Sequence, residues 1–559
     1  MTTDRVYHHS QFQNISCPKL TDQITVEAWV RSDDERTEVL QALVSKWSPL
    51  NSFDTFAAYD ASQTDGLSAI GYFGAVFDGR YVYFVPEQQA NLDTHGIVLR
   101  YDTQAVFDDP QSYSAYDAAG TGELDTRGYY GAAFDGTHVY FVPRQLNQHQ
   151  YHSHVLRHDT RLDFKDANAW DAFDVGEEHS SQSAAFDGRY LYFCPGYEGD
   201  PGLENRNSSQ VIRYDTQKEF KDRASYSTYD VGRVGGLGAS CFDGGAFDGR
   251  HVYFIPLQDS VVVRCNLQGD FQDEGSWQAF DATQAGMGMC VGAVFDGQYL
   301  YFVPYTNAVV VRYDTTRDFV DPASWESYDA DHTQGLRTNG NDGGFFDGRY
   351  VYFVPFVYSV EEGHKFHSNY LRYDTQGKFN APASWNAHDA SNASGIYSVG
   401  YNAGAFDGRY FYAAPWRHGP GRGPGVSGIH GTVLRYDTLG TQGSFSLRYC
   451  DYGHNGGLNA AVPGPSFLIN TNRGVLSVAT HRPLQPGCHH LAGVYDGKTI
   501  KLFIDGELAA HRTGSGQIQA NDEPVTIGQI HGGLGYFRGL IENVQISSVA
   551  RRDEWFKKG

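Results

Sequence analysis

Seven times along this chain the same phrase returns: small residues, then Phe-Asp-Gly, then an alternating aromatic stretch closed by Pro. It reads GAVFDGRYVYFVP from Gly74, GAAFDGTHVYFVP from Gly131 and SAAFDGRYLYFCP from Ser183, with four further versions ending at Pro256, Pro304, Pro355 and Pro415. The leading aromatics are Phe77, Phe134, Phe186, Phe247, Phe295, Phe346 and Phe406, so the mean period is about 55 residues. A chain written this way must build one supersecondary unit repeatedly and bury it against its own copies.

Each unit has the same internal grammar. A small-residue strand (A) precedes the Phe-Asp-Gly turn, an alternating strand (B) such as Tyr81 to Val85 follows, and a variable loop leads to a strand (C) like VLRYDT, Val98 to Thr103. An aromatic strand (D) such as Ser112 to Asp117 ends the unit. Asp-Gly makes a tight hairpin because Gly accepts positive φ and the Asp side chain bonds the turn backbone. Tiny residues before each Phe-Asp-Gly suit strands crowded around an axis. Four strands in about 55 residues exceed a solenoid repeat and match one blade of a β-propeller. The last C strand, Val433 to Thr438, has no D strand after it, while an orphan D-like segment, Ser52 to Asp60, precedes the first A strand. Joined, they complete one blade and remove the open edges of the ring.

The flanks read as two pieces of a second domain. ITVEAWV (Ile24 to Val30) and QALVSKW (Gln41 to Trp47) precede the ring. FSLRY (Phe445 to Tyr449), CHHLAGVYDGKTIKLFIDGELAA (Cys488 to Ala510), VTIGQI (Val525 to Ile530) and GYFRGLIENVQISSVARRDEW (Gly535 to Trp555) follow it. In order and spacing these segments resemble laminin G-like, concanavalin A-like jelly rolls, except that Cys488 stands where that family usually has Trp. The resemblance implies an all-β chain in which a seven-bladed propeller is inserted into a jelly-roll sandwich: residues 1–50, then the propeller at 51–440, then 441–559. It also implies a packing role for His489 and His490 as a strand element. Calcium is a common ligand of that superfamily, and Asn521, Asp522, Glu523, Glu542 and Asn543 supply carboxylates and amides for it.

The 43 basic and 66 acidic residues give a net charge of −23, much of it from turn aspartates, which speaks against a nucleic-acid or anionic-membrane partner. Seven scattered cysteines without a CxxC pair point to free thiols in a reducing compartment, and no apolar run suits a signal or a membrane span, so a cytoplasmic location is expected. The alternative is a secreted protein whose signal lies outside this sequence, in which case the sequons at Asn14, Asn207 and Asn392 gain meaning.

Function is sought on one face. The A–B turns and C–D links repeat closely, whereas the B–C and D–A loops differ in every blade and share the face called the top here. Four B–C loops place a histidine five residues before the Arg of strand C: His95, His152, His367 and His430, in consecutive blades. They either contact a ligand or cap their own strands through the backbone; a shared metal is disfavoured because strand C lies roughly 10 Å outside strand A. Around the channel mouth, four residues before each Phe-Asp-Gly Phe, stand Phe73, Tyr130, Gln182, Asp243, Val291, Asp342 and Asn402, a mix suited to a sugar or another small polar ligand. A paired-carboxylate glycosidase depends on how far Asp243 lies from Asp342. Arg417, His418 and Arg422 sit in a Gly-rich loop that reads as an anion-binding lid or as a solvated loop. GxSxG, HExxH, P-loop and dinucleotide motifs are absent from the sequence. The expectation is a recognition protein for a carbohydrate or similar polar ligand, bound by His95, His152, His367, His430, Tyr130, Asp243, Asp342, Asn402, Arg417 and His418. The alternative is an enzyme, a polysaccharide lyase or hydrolase or a small-molecule tailoring enzyme, with acid–base residues on the same face. Both chain junctions fall at the opposite face, so the jelly roll is expected beneath the closing blade.

Overall fold

The computed structural model describes residues 17–557 except 34–40, 92, 148, 177–178, 201–205, 361–362, 420–427, 451–463 and 531–534. Seven antiparallel blades stand in a ring, their innermost A strands being Tyr72–Phe77, Tyr129–Phe134, His179–Phe186, Phe242–Phe247, Cys290–Phe295, Asn341–Phe346 and Tyr401–Phe406. Consecutive A strands are neighbours, and the seventh meets the first. The seventh blade takes its outer strand from the other end of the ring: Phe56–Asp60 pairs with Thr432–Asp437 in a register running from Phe56 opposite Tyr436 to Asp60 opposite Thr432. Crowding at the axis explains the tiny residues. A Cβ on Gly245 would lie 2.9 Å from the Ala185 side chain, and one on Gly74 3.5 Å from the Gly131 Cα.

The repeated Asp organises more than its turn. Asp78 Oδ1 accepts the N–H groups of Arg80 and Tyr81 at 2.8 and 2.7 Å, while Oδ2 accepts the Tyr83 hydroxyl at 3.1 Å. The same triple recurs at Asp187 and Asp347. Neighbouring blades are joined by the strand C arginine, which inserts between two rings. Arg100 lies 4.1 Å from the Tyr81 centroid and 4.2 Å from that of Phe164 in the next blade. Arg157 on Phe220, Arg213 on Phe271, Arg264 on Phe319, Arg312 on Phe379 and Arg372 on Phe53 continue the series, and Arg435 on Phe107 closes it.

The flanking segments form two five-stranded sheets. One is ordered Glu507–Thr513, Thr499–Ile504, Cys488–Tyr495, Ile24–Ser32, Gly539–Ser547; the other Gly474–Ala479, Ser466–Thr471, Gly443–Cys450, Gln41–Trp47, Thr526–Ile527. Each sheet thus has one strand from before the ring built into its interior. Val26, Val44, Leu447, Phe467, Leu491 and Leu502 belong to the buried cluster between them. The second sheet turns its other side to the propeller. Gln104 donates to the Val475 carbonyl, Arg409 Nη1 donates to Asn470 Oδ1 at 2.8 Å, Arg512 grips the Asp78 carbonyl, and His481 meets the Phe134 ring edge-on at 5.1 Å. The propeller partners belong to A–B turns, a C–D link and, with Phe134, the end of an A strand beside its turn, so the sandwich sits on the face opposite the variable loops. Among the described residues no helix is long and apolar enough to cross a membrane.

Candidate functional site

The four equally spaced histidines are not presented to a ligand, which corrects the ligand-contact expectation for them. His95 and His152 are each 3% exposed, His367 6% and His430 7%. In every case Nδ1 accepts the backbone N–H two residues on: Ile97 at 3.2 Å, His154 at 3.3 Å, Asn369 at 3.3 Å and Thr432 at 3.2 Å. On the far side of the ring, Nε2 of His95, His152 and His430 faces the carbonyls of Gly71, Gly128 and Val399 at 3.4, 3.2 and 3.1 Å. The imidazoles of His95, His152 and His430 therefore tie the start of strand C to the backbone just before strand A, one nitrogen accepting and the other donating, while His367 caps its strand through Nδ1 and its buried Nε2 has no partner among the described residues. Burial pushes the first three down to about 4 and His430 to about 3, so all four are neutral struts near neutral pH.

At the channel mouth the expected set does converge. Tyr130 of the second blade donates its hydroxyl to Asp243 Oδ2 of the fourth at 3.0 Å, and Asn402 Nδ2 of the seventh donates to Asp342 Oδ2 of the sixth at 2.7 Å. Asp243 and Asp342 are each 2% exposed and lie close enough to feel one another's charge. Burial pushes Asp243 up to about 7, and burial together with the charge of Asp243 raises Asp342 well above the usual carboxylate range. Two buried carboxyl groups that feel one another's charge cannot both ionise cheaply. Gln182 Oε1, Asp243 Oδ1, Asp342 Oδ1 and Asn402 Oδ1 are buried with no hydrogen-bond partner among the described residues.

A second ring, which the sequence reading passed over, lies just above. The residue that follows each phrase's Pro is Glu87, Arg144, Gly196, Leu257, Tyr305, Phe356 and Trp416. Arg144 pairs with Glu87 at 3.4 Å and covers Phe73 and Tyr130, its guanidinium 5.1 and 4.8 Å from their centroids. Phe73 packs on Trp416 at 4.2 Å, and Tyr305 stacks on Phe356 at 6.3 Å. Tyr197, Met289, Tyr305 and Phe366 are the partly exposed members of this aromatic cluster. One fixed offset from Pro was the signal for the whole ring. Cys241 adds strain there: its φ of 56° is left-handed, where four other blades have Gly71, Gly128, Gly340 and Gly400.

Arg417 and His418 join the rim. Arg417 Nη2 donates to Gln88 Oε1 at 3.2 Å, and the His418 ring lies 4.0 Å from that of His430. Arg422 lies outside the described residues. In the jelly roll, His489 bonds Asp505 and the Gln485 carbonyl, both at 2.7 Å, and His490 pairs with Glu27 at 3.2 Å. Asn521 Nδ2 donates to the Thr441 carbonyl and to Ser444 Oγ, and Glu523 N donates back to Asn521 Oδ1. Among the described residues no cluster of three or more His, Cys, Asp or Glu side chains suits a metal ion.

A family model described as the concanavalin A-like lectin/glucanases superfamily matches residues 433–555. Solved structures align with the chain at low identity. Virginiamycin B lyase from Staphylococcus aureus aligns at 12% identity over 69% of this chain and 99% of its own, with a TM-score of 0.41. YCF48 bound to D1 peptide aligns at 10% identity over 70% and 98%, with a TM-score of 0.43. A chain of the nidogen/laminin complex aligns at 12% identity over 53% and 94%, with a TM-score of 0.31. No curated protein sequence matches the chain.

Proposed function

We propose that the protein is a recognition protein that takes a carbohydrate or a similarly hydroxyl-rich polar ligand at the top of the propeller axis. The jelly roll, divided as residues 1–50 and 441–559 around a propeller at 51–440, serves as a platform beneath it. One observation carries this reading: Asp243, Asp342, Asn402 and Gln182 gather unpaired oxygens under a lip of partly exposed aromatic rings. Hydroxyl groups supply donors to such oxygens, and the apolar face of a sugar ring suits the aromatic surface. A reducing compartment is part of the proposal, supported by seven cysteines without a disulfide.

The acid pair also supports an enzymatic reading. A carboxyl group that keeps its proton near neutral pH beside a second carboxyl is the arrangement general acid catalysis uses. His95, His152 and His430 take no part in it, because both ring nitrogens of each are already engaged with the backbone.

A neutral-glycan array run with the full chain and with Asp342→Asn tests both readings. Retention of one glycan class by the natural protein, weakened at least tenfold in the variant, is the expected result. Absence of retention, or retention that the variant leaves unchanged, overturns the site. Cleavage products released during incubation would move the assignment to the enzyme.

A further inference from the structure

The third blade differs from the other six where it meets the mouth. Its A strand has 8 residues and its B strand 9, against 6 for the A strand of every other blade, and Arg206–Asn207 adds a short fifth strand. At the ring position after Pro, where the others carry Glu, Arg, Leu, Tyr, Phe or Trp, it has Gly196, and the Gln182 and Ser180 side chains take the place of the missing one. Beyond it opens a cleft of about 520 Å³, lined by His149, Gln150, Tyr151, His179, Glu198 and Arg206 among others. That volume lies within the usual range of small-ligand sites.

The chemistry of the cleft is specific. Its polar groups have partners: His149 Nδ1 meets Asp200 Oδ1 at 3.1 Å, and Arg206 pairs with Glu198 at 3.7 Å. An anion would find the Arg206 guanidinium already paired there. What remains are the amides of Gln150 and Gln210 and the imidazole of His179, which is 5% exposed and whose Nε2 is buried with no partner among the described residues. Burial pushes His179 down to about 4, so it offers a neutral ring. Planar amides, paired carboxylates and a neutral imidazole suit vicinal hydroxyl groups, each of which both donates and accepts. The cleft adjoins the axial cluster: the Tyr151 ring, which lines it, stacks on Tyr197 of that cluster at 6.2 Å and 16°.

We infer that the ligand is an extended neutral glycan, with one unit over the axial carboxyl pair and later units running past Gly196 and Tyr197 into the His179 cleft of the third blade. This rests on the axial reading above and adds a second subsite and a ligand length to it. Calorimetric titration tests it, using the disaccharide and the hexasaccharide of the neutral glycan class that the array retains. The full chain is compared with Gln150→Ala and Asp200→Asn, both substitutions lying outside the core, so unchanged melting temperatures are expected. The hexasaccharide should bind at least tenfold more tightly than the disaccharide, and both variants should remove that gain while leaving disaccharide affinity unchanged. Equal affinities at both lengths, or a gain that survives both substitutions, overturn the inference while the axial site stands. Retention of no glycan at all overturns both.

Discussion

A histidine repeated at one offset in four consecutive blades looks like a binding device in sequence and proves to be a strut in space. The offset was legible, because Nδ1 reaches only two residues along the chain. The Nε2 partner was not, because it lies 24 to 31 residues back across the fold. Replacing His152 with Leu leaves the His154 N–H unpaired and removes one bond to the Gly128 carbonyl, which keeps those from the Arg144 and Gln145 N–H groups. That should lower stability by about 1–3 kcal/mol and lower the melting temperature, with glycan binding unchanged; an unaltered melting temperature would contradict the strut role. The two kinds of buried titratable group act in opposite directions with pH. Histidines held near 4 contribute stability that is present above about pH 6.5 and is lost as pH falls toward 4. Asp243, pushed up to about 7, contributes stability that is present below about pH 4 and is lost as pH rises through 7. Asp342→Asn removes the like charge beside it. Urea midpoints at pH 5 and pH 8 should therefore differ less in this variant than in the natural protein, and an identical difference in the two would sink the account of two buried, mutually repelling carboxyl groups.

Among the elements, the four strands of each blade and the shared closing blade were readable because period-two patterning and turn residues are local signals. The arginine staples were not, since each joins strand C to the segment before strand D of the next blade, 55 to 67 residues away from Arg100 to Arg312 and across the chain's two ends for Arg372 and Arg435. The mechanism nevertheless suggests where the ring is vulnerable. Phe53, in the segment that enters the closing strand, receives Arg372 at 4.5 Å and touches Tyr352 and Tyr436 at 5.7 and 5.5 Å. Phe53→Ala should cost about 2–4 kcal/mol through lost ring packing and cation–π contact. Thermal unfolding checks this, and a change below about 0.5 kcal/mol would show that the Phe56–Asp60 ladder alone closes the ring. The extra strand and cleft of the third blade escaped the sequence because variable loops carry no repeat to be compared with.

On the scale of the whole molecule, the position of the jelly roll followed from the junctions: Leu50 N bonds the Thr438 carbonyl at 2.7 Å, so both crossings leave the ring together at the bottom. The sandwich is held there by Arg512, Arg409 and Gln104, at A–B turns and a C–D link rather than at the variable loops. On the variable-loop face, the carboxyl pair was visible in the sequence through its constant distance from Phe-Asp-Gly. Arg144 and Glu87 were hidden because the residue after Pro changes its chemistry in every blade. The site itself is tested most directly by a crystal structure of the full chain with the hexasaccharide of the retained glycan class. Density is expected over the axis, with hydroxyl groups within hydrogen-bond distance of Asp243 or Asp342 and a sugar ring against Tyr305 or Tyr197. Ordered sugar bound only to the jelly-roll loops, with the channel mouth unchanged, would contradict the account.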